Sequence, residues 1–413
     1  MKKMIVFLAI ALVLCTGCSS KEDAQREVFK STDSGSDFES AVSGADQGDT
    51  GYQSLFCDLT DTDPQTVMIT INGTSLYPEQ YFYWVANHCS SLEYNLSSYH
   101  QLYGSYADLF DDETGELLWD SEYADGKTLE EYALMEAEST MKFYVALEDM
   151  AAKYEIELDE EDEEVAAKEV ASAMEELGGQ EGFENYLATL GICQDTFEHF
   201  TRNSILFDKL LAALMDENHA LYLPDEGYDQ YAAYADHILL FTIDPDSGEP
   251  LKAKEKEEQH ALAEDLLNQL RNADDPVQLF GELADEYSQD TGRTTNPTGY
   301  IYFPGTMVKE FEDAVASLEP GQISDIVESE YGYHIILRRD LNDGLNEDPI
   351  QKVAIAEKHL TAALNVLGSQ AKVERNHMLD TMDIGTFYEA YLEAANERYM
   401  ENLKKETEMK TEQ

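Results

Sequence analysis

The chain has 413 residues, with 27 Lys and Arg against 85 Asp and Glu, a formal net charge of -58 at pH 7. That is enough length for about two or three domains, and the sequence pI is near 4.1. Phosphate backbones select basic faces, so nucleic acid is excluded as a partner. An anionic envelope repels such a chain, so holding it there requires an anchor.

The N-terminus reads Met1-Lys2-Lys3, an apolar run from Met4 to Leu14, then Cys15-Thr16-Gly17-Cys18-Ser19-Ser20. A basic start, a short apolar stretch and small residues mark a secretory leader, too short to span a bilayer comfortably. Gly17-Cys18 resembles a bacterial lipobox, which makes Cys18 the lipidated residue and 1–18 the signal. Leu14 stands four residues before Cys18, and the position three before holds Cys15. Residues 19–65 are rich in Ser, Gly, Asp and Glu and read as a flexible acidic tether. Cys57, Cys89 and Cys193 remain, widely spaced, without the CxxC or Cys/His spacing of a zinc site, so no metal is expected. One disulfide among them is compatible with export.

Val67–Ile71 alternates like a strand, and Asn72-Gly73 supplies a hairpin turn. A helical pattern runs from Tyr77 to about Tyr103. Thr128-Leu129-Glu130-Glu131 is a capping box that opens a helix to about Tyr154. The acidic block Asp159-Glu160-Glu161-Asp162-Glu163-Glu164 suits the positive end of the next helix, which runs to about Leu177. Phe183–Leu190, closed by Gly191, and Thr196 to about Met215 complete a helical part spanning 66–230. Leu223-Pro224-Asp225-Glu226-Gly227 marks a hinge.

Residues 231–343 change character. Strand 235–242 is followed by helices at Lys252–Leu270 and from Pro276, then Gly299–Phe303, a helix at Met307–Leu318, a turn at Pro320-Gly321, and strands at Ile323–Val327 and His334–Arg338. Helices on a small sheet make this an α+β module. Residues 344–413 are helical again and match the earlier helices in character. The expected architecture is therefore a helical body built from both chain ends, with the α+β module inserted between them.

Two apolar strands in the module each carry one histidine, His237 and His334. A histidine titrates near neutrality, so two inside apolar strands call for a reason. On neighbouring strands they can hydrogen-bond to each other, which would set their tautomers. Met307 and Phe311, four apart on the expected helix, can form an apolar pocket.

The order of motifs resembles the parvulin-type peptidyl-prolyl cis/trans isomerases. It comprises Asp236-His237-Ile238-Leu239, Phe280-x-x-Leu283-Ala284, Tyr287-Ser288-x-Asp290, Gly305-x-Met307-Val308-x-x-Phe311, Leu318-x-x-Gly321-x-Ile323-Ser324 and Gly332-Tyr333-His334-Ile335-Ile336. The layout is similar to the secreted chaperone-isomerases of the PrsA and SurA type. The family's Gly-Gly-Asp-Leu-Gly stretch is replaced here by Asn296–Phe303, so the pocket rim differs. The resemblance implies catalytic roles for His237, Asp290 and His334, and substrate contacts from Met307, Phe311, Tyr302, Phe303 and Ser288. It implies an isomerase without cofactors, acting on X-Pro bonds of partly folded exported polypeptides at the outer face of the cell membrane. A second activity, holding unfolded chains, would belong to the helical body, and the sequence leaves open a homodimer through that body. The alternative is a holdase with a vestigial module.

Overall fold

The computed structural model describes residues 54–245, 247–347 and 349–411; the leader, Cys18 and residues 19–53 of the expected tether lie outside them. Along the chain the first elements are α1 (Leu55–Thr60), the hairpin β1 (Ile69–Ile71) and β2 (Thr74–Leu76), α2 (Pro78–Tyr103) and the small hairpin β3 (Glu122–Ala124) and β4 (Lys127–Thr128). Helices α3 (Leu129–Lys153), α4 (Glu160–Glu176), α5 (Gln180–Leu190) and α6 (Gln194–Met215) follow. Next come β5 (Ala233–Phe241), α7 (Ala253–Arg271), α8 (Pro276–Tyr287), β6 (Tyr300–Tyr302), α9 (Lys309–Ala316), β7 (Val327–Glu328) and β8 (Gly332–Arg338). The chain ends with α10 (Leu341–Glu347), α11 (Pro349–Ser369), β9 (Val373–Arg375) and α12 (Ile384–Thr411). Among the described residues no helix is long and apolar enough to cross a membrane.

Local chemistry accounts for many of these boundaries. Asn72 and Gly73 both take positive φ, as a tight hairpin turn with the right strand twist requires. The Thr128 hydroxyl accepts the Glu131 amide at 3.2 Å while the Glu131 carboxylate accepts the Thr128 amide at 3.0 Å, closing the capping box of α3. Asp159 caps α4 by accepting from the Glu161 and Asp162 amides.

The chain divides into two compact units. One comprises the residues up to Asp149 together with Leu158–Ile205 and Leu367–Gln413; the other comprises Met150–Glu157 and Leu206–Val366. The first is closed by a three-stranded sheet in which β1 pairs β2 on one side and β9 on the other, with Ile69 opposite Arg375 and Ile71 opposite Val373. The Arg375 guanidinium donates to Glu138 at 2.6 Å through Nε. Its core centres on Phe56, Phe82 and Phe387, with ring centroids 4.9–6.2 Å apart. Phe56 lies in α1, inside the segment expected to be tether. Leu55, Phe56 and Cys57 are buried, because three consecutive apolar side chains reach an aromatic core whose other members lie far away in sequence. Cys57, Cys89 and Cys193 are all free thiols.

The second unit holds the antiparallel sheet β6-β5-β8-β7. Strand alternation divides its side chains. Ile238, Leu240, Ile335 and Leu337 face α7 and α8, packing on Ala263, Leu266, Leu270, Phe280 and Leu283. Ala235 and Ile336 face the other way, onto Tyr302, Phe311 and Val315. His237 and His334 share the parity of this second set, so both lie on the α9 side. This unit is wider than the 231–343 span expected for the module. Lys358 on α11 lies over the Phe303 ring at 3.8 Å, and His359 meets the Tyr231 ring edge-on at 4.9 Å.

Two local expectations are corrected. α9 starts at Lys309 rather than Met307. The Glu312 carboxylate accepts the Gly305 amide at 2.8 Å and the Met307 amide at 2.9 Å, which holds those residues in a loop across the helix start. Met307 thus precedes the helix, yet it still packs on the Phe311 cluster. The strand expected at Ile323–Val327 shrinks to a single bridge, Ile323 opposite Leu337, followed by β7. The Ser324 side chain accounts for the gap: it accepts the Ile336 amide at 2.9 Å in place of a ladder bond.

Candidate active site

Register brings the histidines together. His237 stands opposite Ile336, and Leu239 stands opposite His334. The two histidines are therefore diagonal neighbours on one face. Their Nδ1 atoms are 3.3 Å apart and their ring centroids 5.3 Å apart.

Asp290 arrives by a different route. β6 pairs only with Ala233–Ala235 of β5, so the remaining edge of β5 needs another cover. Residues 288–290 supply it. Ser288 Oγ accepts the Leu239 amide at 3.1 Å and donates to the His237 carbonyl at 3.3 Å; the Gln289 amide donates to the Leu239 carbonyl at 2.8 Å. This strip delivers Asp290 Oδ2 to 2.9 Å from His237 Nε2.

These side chains form one hydrogen-bonded chain. Ser329 Oγ lies 2.7 Å from His334 Nε2. With Ser329 donating, His334 carries its proton on Nδ1 and donates to His237 Nδ1, and His237 donates from Nε2 to Asp290. The Tyr300 hydroxyl donates to the same Asp290 oxygen at 2.5 Å, and the Gly292 amide donates to Oδ1 at 3.0 Å. The His237 bond, together with the Tyr300 and Gly292 donors, outweighs burial and holds the Asp290 carboxyl well below the usual carboxylate range. Burial, helped by nearby His237, lowers His334 to about 4. His334 is therefore neutral at pH 7.

An apolar wall stands beside this chain. The Phe311 ring is perpendicular to His237 at 5.3 Å, and it lies 5.9 Å from His334 and 5.8 Å from Tyr302. Met307 packs into the same group.

The structure thus gathers His237, His334, Asp290, Phe311, Met307 and Tyr302. Phe303 and Ser288 have other partners. The Lys358 ammonium lies over the Phe303 ring at 3.8 Å. Ser288 spends its hydroxyl on the β5 backbone. Three participants escaped the sequence reading. Tyr300 sits in the stretch that departs from the family pattern, and Ser329 has no local signature. Arg293 donates to Asp236 at 2.6 Å and to Asp285 at 2.9 Å. Asp236 precedes His237 in the motif quoted above, and its carboxylate also accepts the His237 amide at 2.8 Å. Among the described residues, no three His, Cys, Asp or Glu side chains group at metal-binding spacing.

Residues 237–340 match the PPIC-type PPIase domain, the rotamase family. The module belongs to the parvulin-type peptidyl-prolyl isomerase family. Over a longer stretch the chain is similar to PrsA foldases. It is 33% identical over 165 residues to the foldase protein PrsA of Halalkalibacterium halodurans, covering 38% of this chain and 43% of that one. It is 31% identical over 204 residues to foldase protein PrsA 3 of Bacillus cereus, covering 48% and 59%. The chain spans about half the length of these curated relatives. Among solved structures, NmPin, the parvulin of Nitrosopumilus maritimus, is 30% identical, covering 26% of this chain and 96% of that one with a TM-score of 0.19. A PrsA of Bacillus cereus is 20% identical, covering 66% and 97% with a TM-score of 0.31.

Proposed function

We propose that this chain is an extracytoplasmic foldase that speeds rotation about X-Pro bonds in partly folded exported polypeptides. Its anchor is a lipid on Cys18, and its helical body holds the unfolded client. The observation that carries the reading is the Ser329–His334–His237–Asp290 chain lying edge-on to the buried Phe311 ring.

The chemistry asks little of the protein in covalent terms. Amide rotation crosses a barrier of roughly 18–20 kcal/mol because resonance is lost at the twisted state. An isomerase must therefore bind the twisted amide better than either planar form. Phe311, Met307 and Tyr302 offer the proline ring an apolar seat. Every ring nitrogen of the two histidines already has a partner. That suits a site whose fixed dipoles and Asp290 charge shape the local field more than one that transfers protons.

The test is a protease-coupled isomerisation assay on an Ala-Pro peptide with the full chain, His237→Ala and Met307→Ala. Both variants should fold and lose rate. Unchanged rates in both would remove this site from the reaction. A folded wild-type protein with no activity would leave the holdase reading in its place.

A further inference from the structure

The acidic helical unit carries an exposed aromatic corner that the isomerase site does not use. At the end of α2, Tyr99 is 53% exposed, Leu102 72% and Tyr103 72%, and Tyr106 just beyond is 44% exposed. The tyrosine rings adjoin one another and run inward to the half-buried Tyr123 and Tyr132. Tyr99 lies 6.1 Å from Tyr103 and 6.4 Å from Tyr106, Tyr106 lies 6.3 Å from Tyr123, and Tyr123 lies 5.1 Å from Tyr132.

The corner is built, not frayed. Gly104 ends α2 in the left-handed region, and His100 Nδ1 lies 3.1 Å from the Ser105 carbonyl oxygen, so the chain folds back toward Tyr99. Tyr106 itself is held at φ 61°, a conformation bulky residues avoid. Buried Leu109 and Leu117 anchor the returning segment, and Phe110 bridges Leu117. Contiguous exposed apolar surface of this kind marks an interaction site.

Charge selects the partner. The segment Gly104–Gly126 contains no Lys or Arg, while Asp108, Asp112, Glu113, Asp120, Glu122 and Asp125 are exposed along it. Tyrosine faces attract guanidinium and ammonium groups, and the acidic rim raises their local concentration. A second copy of the chain, itself carrying -58, is repelled. We propose that this corner docks extended cationic polypeptide segments that also carry aromatic side chains. The proposal concerns binding and stands whether or not the parvulin module is active.

The test uses proline-free fluorescent peptides of equal length and the full chain. One peptide alternates Arg or Lys with Phe or Tyr, one replaces the cations with Glu, and one replaces the aromatics with Ala. The cationic aromatic peptide should bind best by fluorescence anisotropy, and less well as salt rises. Tyr99→Ser/Tyr103→Ser should weaken it about ten-fold, whereas Met400→Ser, at another exposed apolar position, should not. Circular dichroism of the variants confirms folding. Equal binding of the acidic peptide, or unchanged binding by the double variant, overturns the proposal. So does sedimentation showing a self-associated wild type that the double variant turns monomeric, which would make the corner a self-interface.

Discussion

Arg293→Met removes the partner of a carboxylate that has little access to water. The Asp236 side chain is 3% exposed and that of Arg293 11%. Their 2.6 Å bond is the main compensation for the buried charge; the second Arg293 bond goes to Asp285, which is 72% exposed and contributes little. Removing one member of a buried pair costs about 3–5 kcal/mol, because the survivor is left charged and unpaired. Burial already raises the Asp236 carboxyl, and Arg293 pulls it back. In the variant the folded pKa rises further above the unfolded value of about 3.9. Stability is then present below the unfolded pKa and lost as pH rises through the folded one, so the defect should be smaller near pH 4 than at pH 7. With two compact units, bulk melting is a poor probe. Hydrogen exchange of peptides covering β5 and β8 reads the module directly. The expected result is a loss of protection matching about 3–5 kcal/mol, largely restored in Asp236→Asn/Arg293→Met. A loss below about 1 kcal/mol, or a double variant no better than the single, would refute the argument.

Tyr300→Phe keeps the ring against His237 and deletes one of the three donors to Asp290. It should lower kcat/KM about ten-fold with little change in stability, and it should shift the His237 ring nitrogens in NMR spectra. His334, neutral in the fold with a pKa lowered to about 4, makes the module lose stability as pH falls from about 6.5 to 4, because the unfolded chain takes up a proton that the fold refuses. The size is on the order of 3 kcal/mol, and exchange protection of β8 should flatten over that window in His334→Gln. His88, in the other unit, is lowered to about 4 by burial and adds a loss of the same sign there. Gly299 has φ 104°, and a Cβ on it would collide with the Ala235 backbone. Gly299→Ala should therefore push β6 off β5 and cost activity through Tyr300, measurable as rapid exchange at residues 300–302.

Much of this protein follows from short-range pattern. The capping box at Thr128, the Asn72-Gly73 turn, Gly191 after α5 and Pro276 at the start of α8 each set a boundary through contacts within a few residues, so they are legible in the sequence. The histidines were legible too, because a titratable ring in an apolar run stands out without any knowledge of its partners. Tertiary structure alone decided what depends on distant segments meeting. α1 looked like tether because its three apolar residues find their aromatic partners in α2 and α12. Phe303 looked like pocket rim, and the tertiary structure gives its ring the Lys358 ammonium as a neighbour. The Asp290 charge, the Tyr300 hydroxyl and the Arg293–Asp236 pair come together because β6 pairs β5 only as far as Ala235 and leaves an edge of β5 for residues 288–290 to cover. Spacing along the chain encodes which face a side chain takes; which segment closes an open edge depends on the whole sheet.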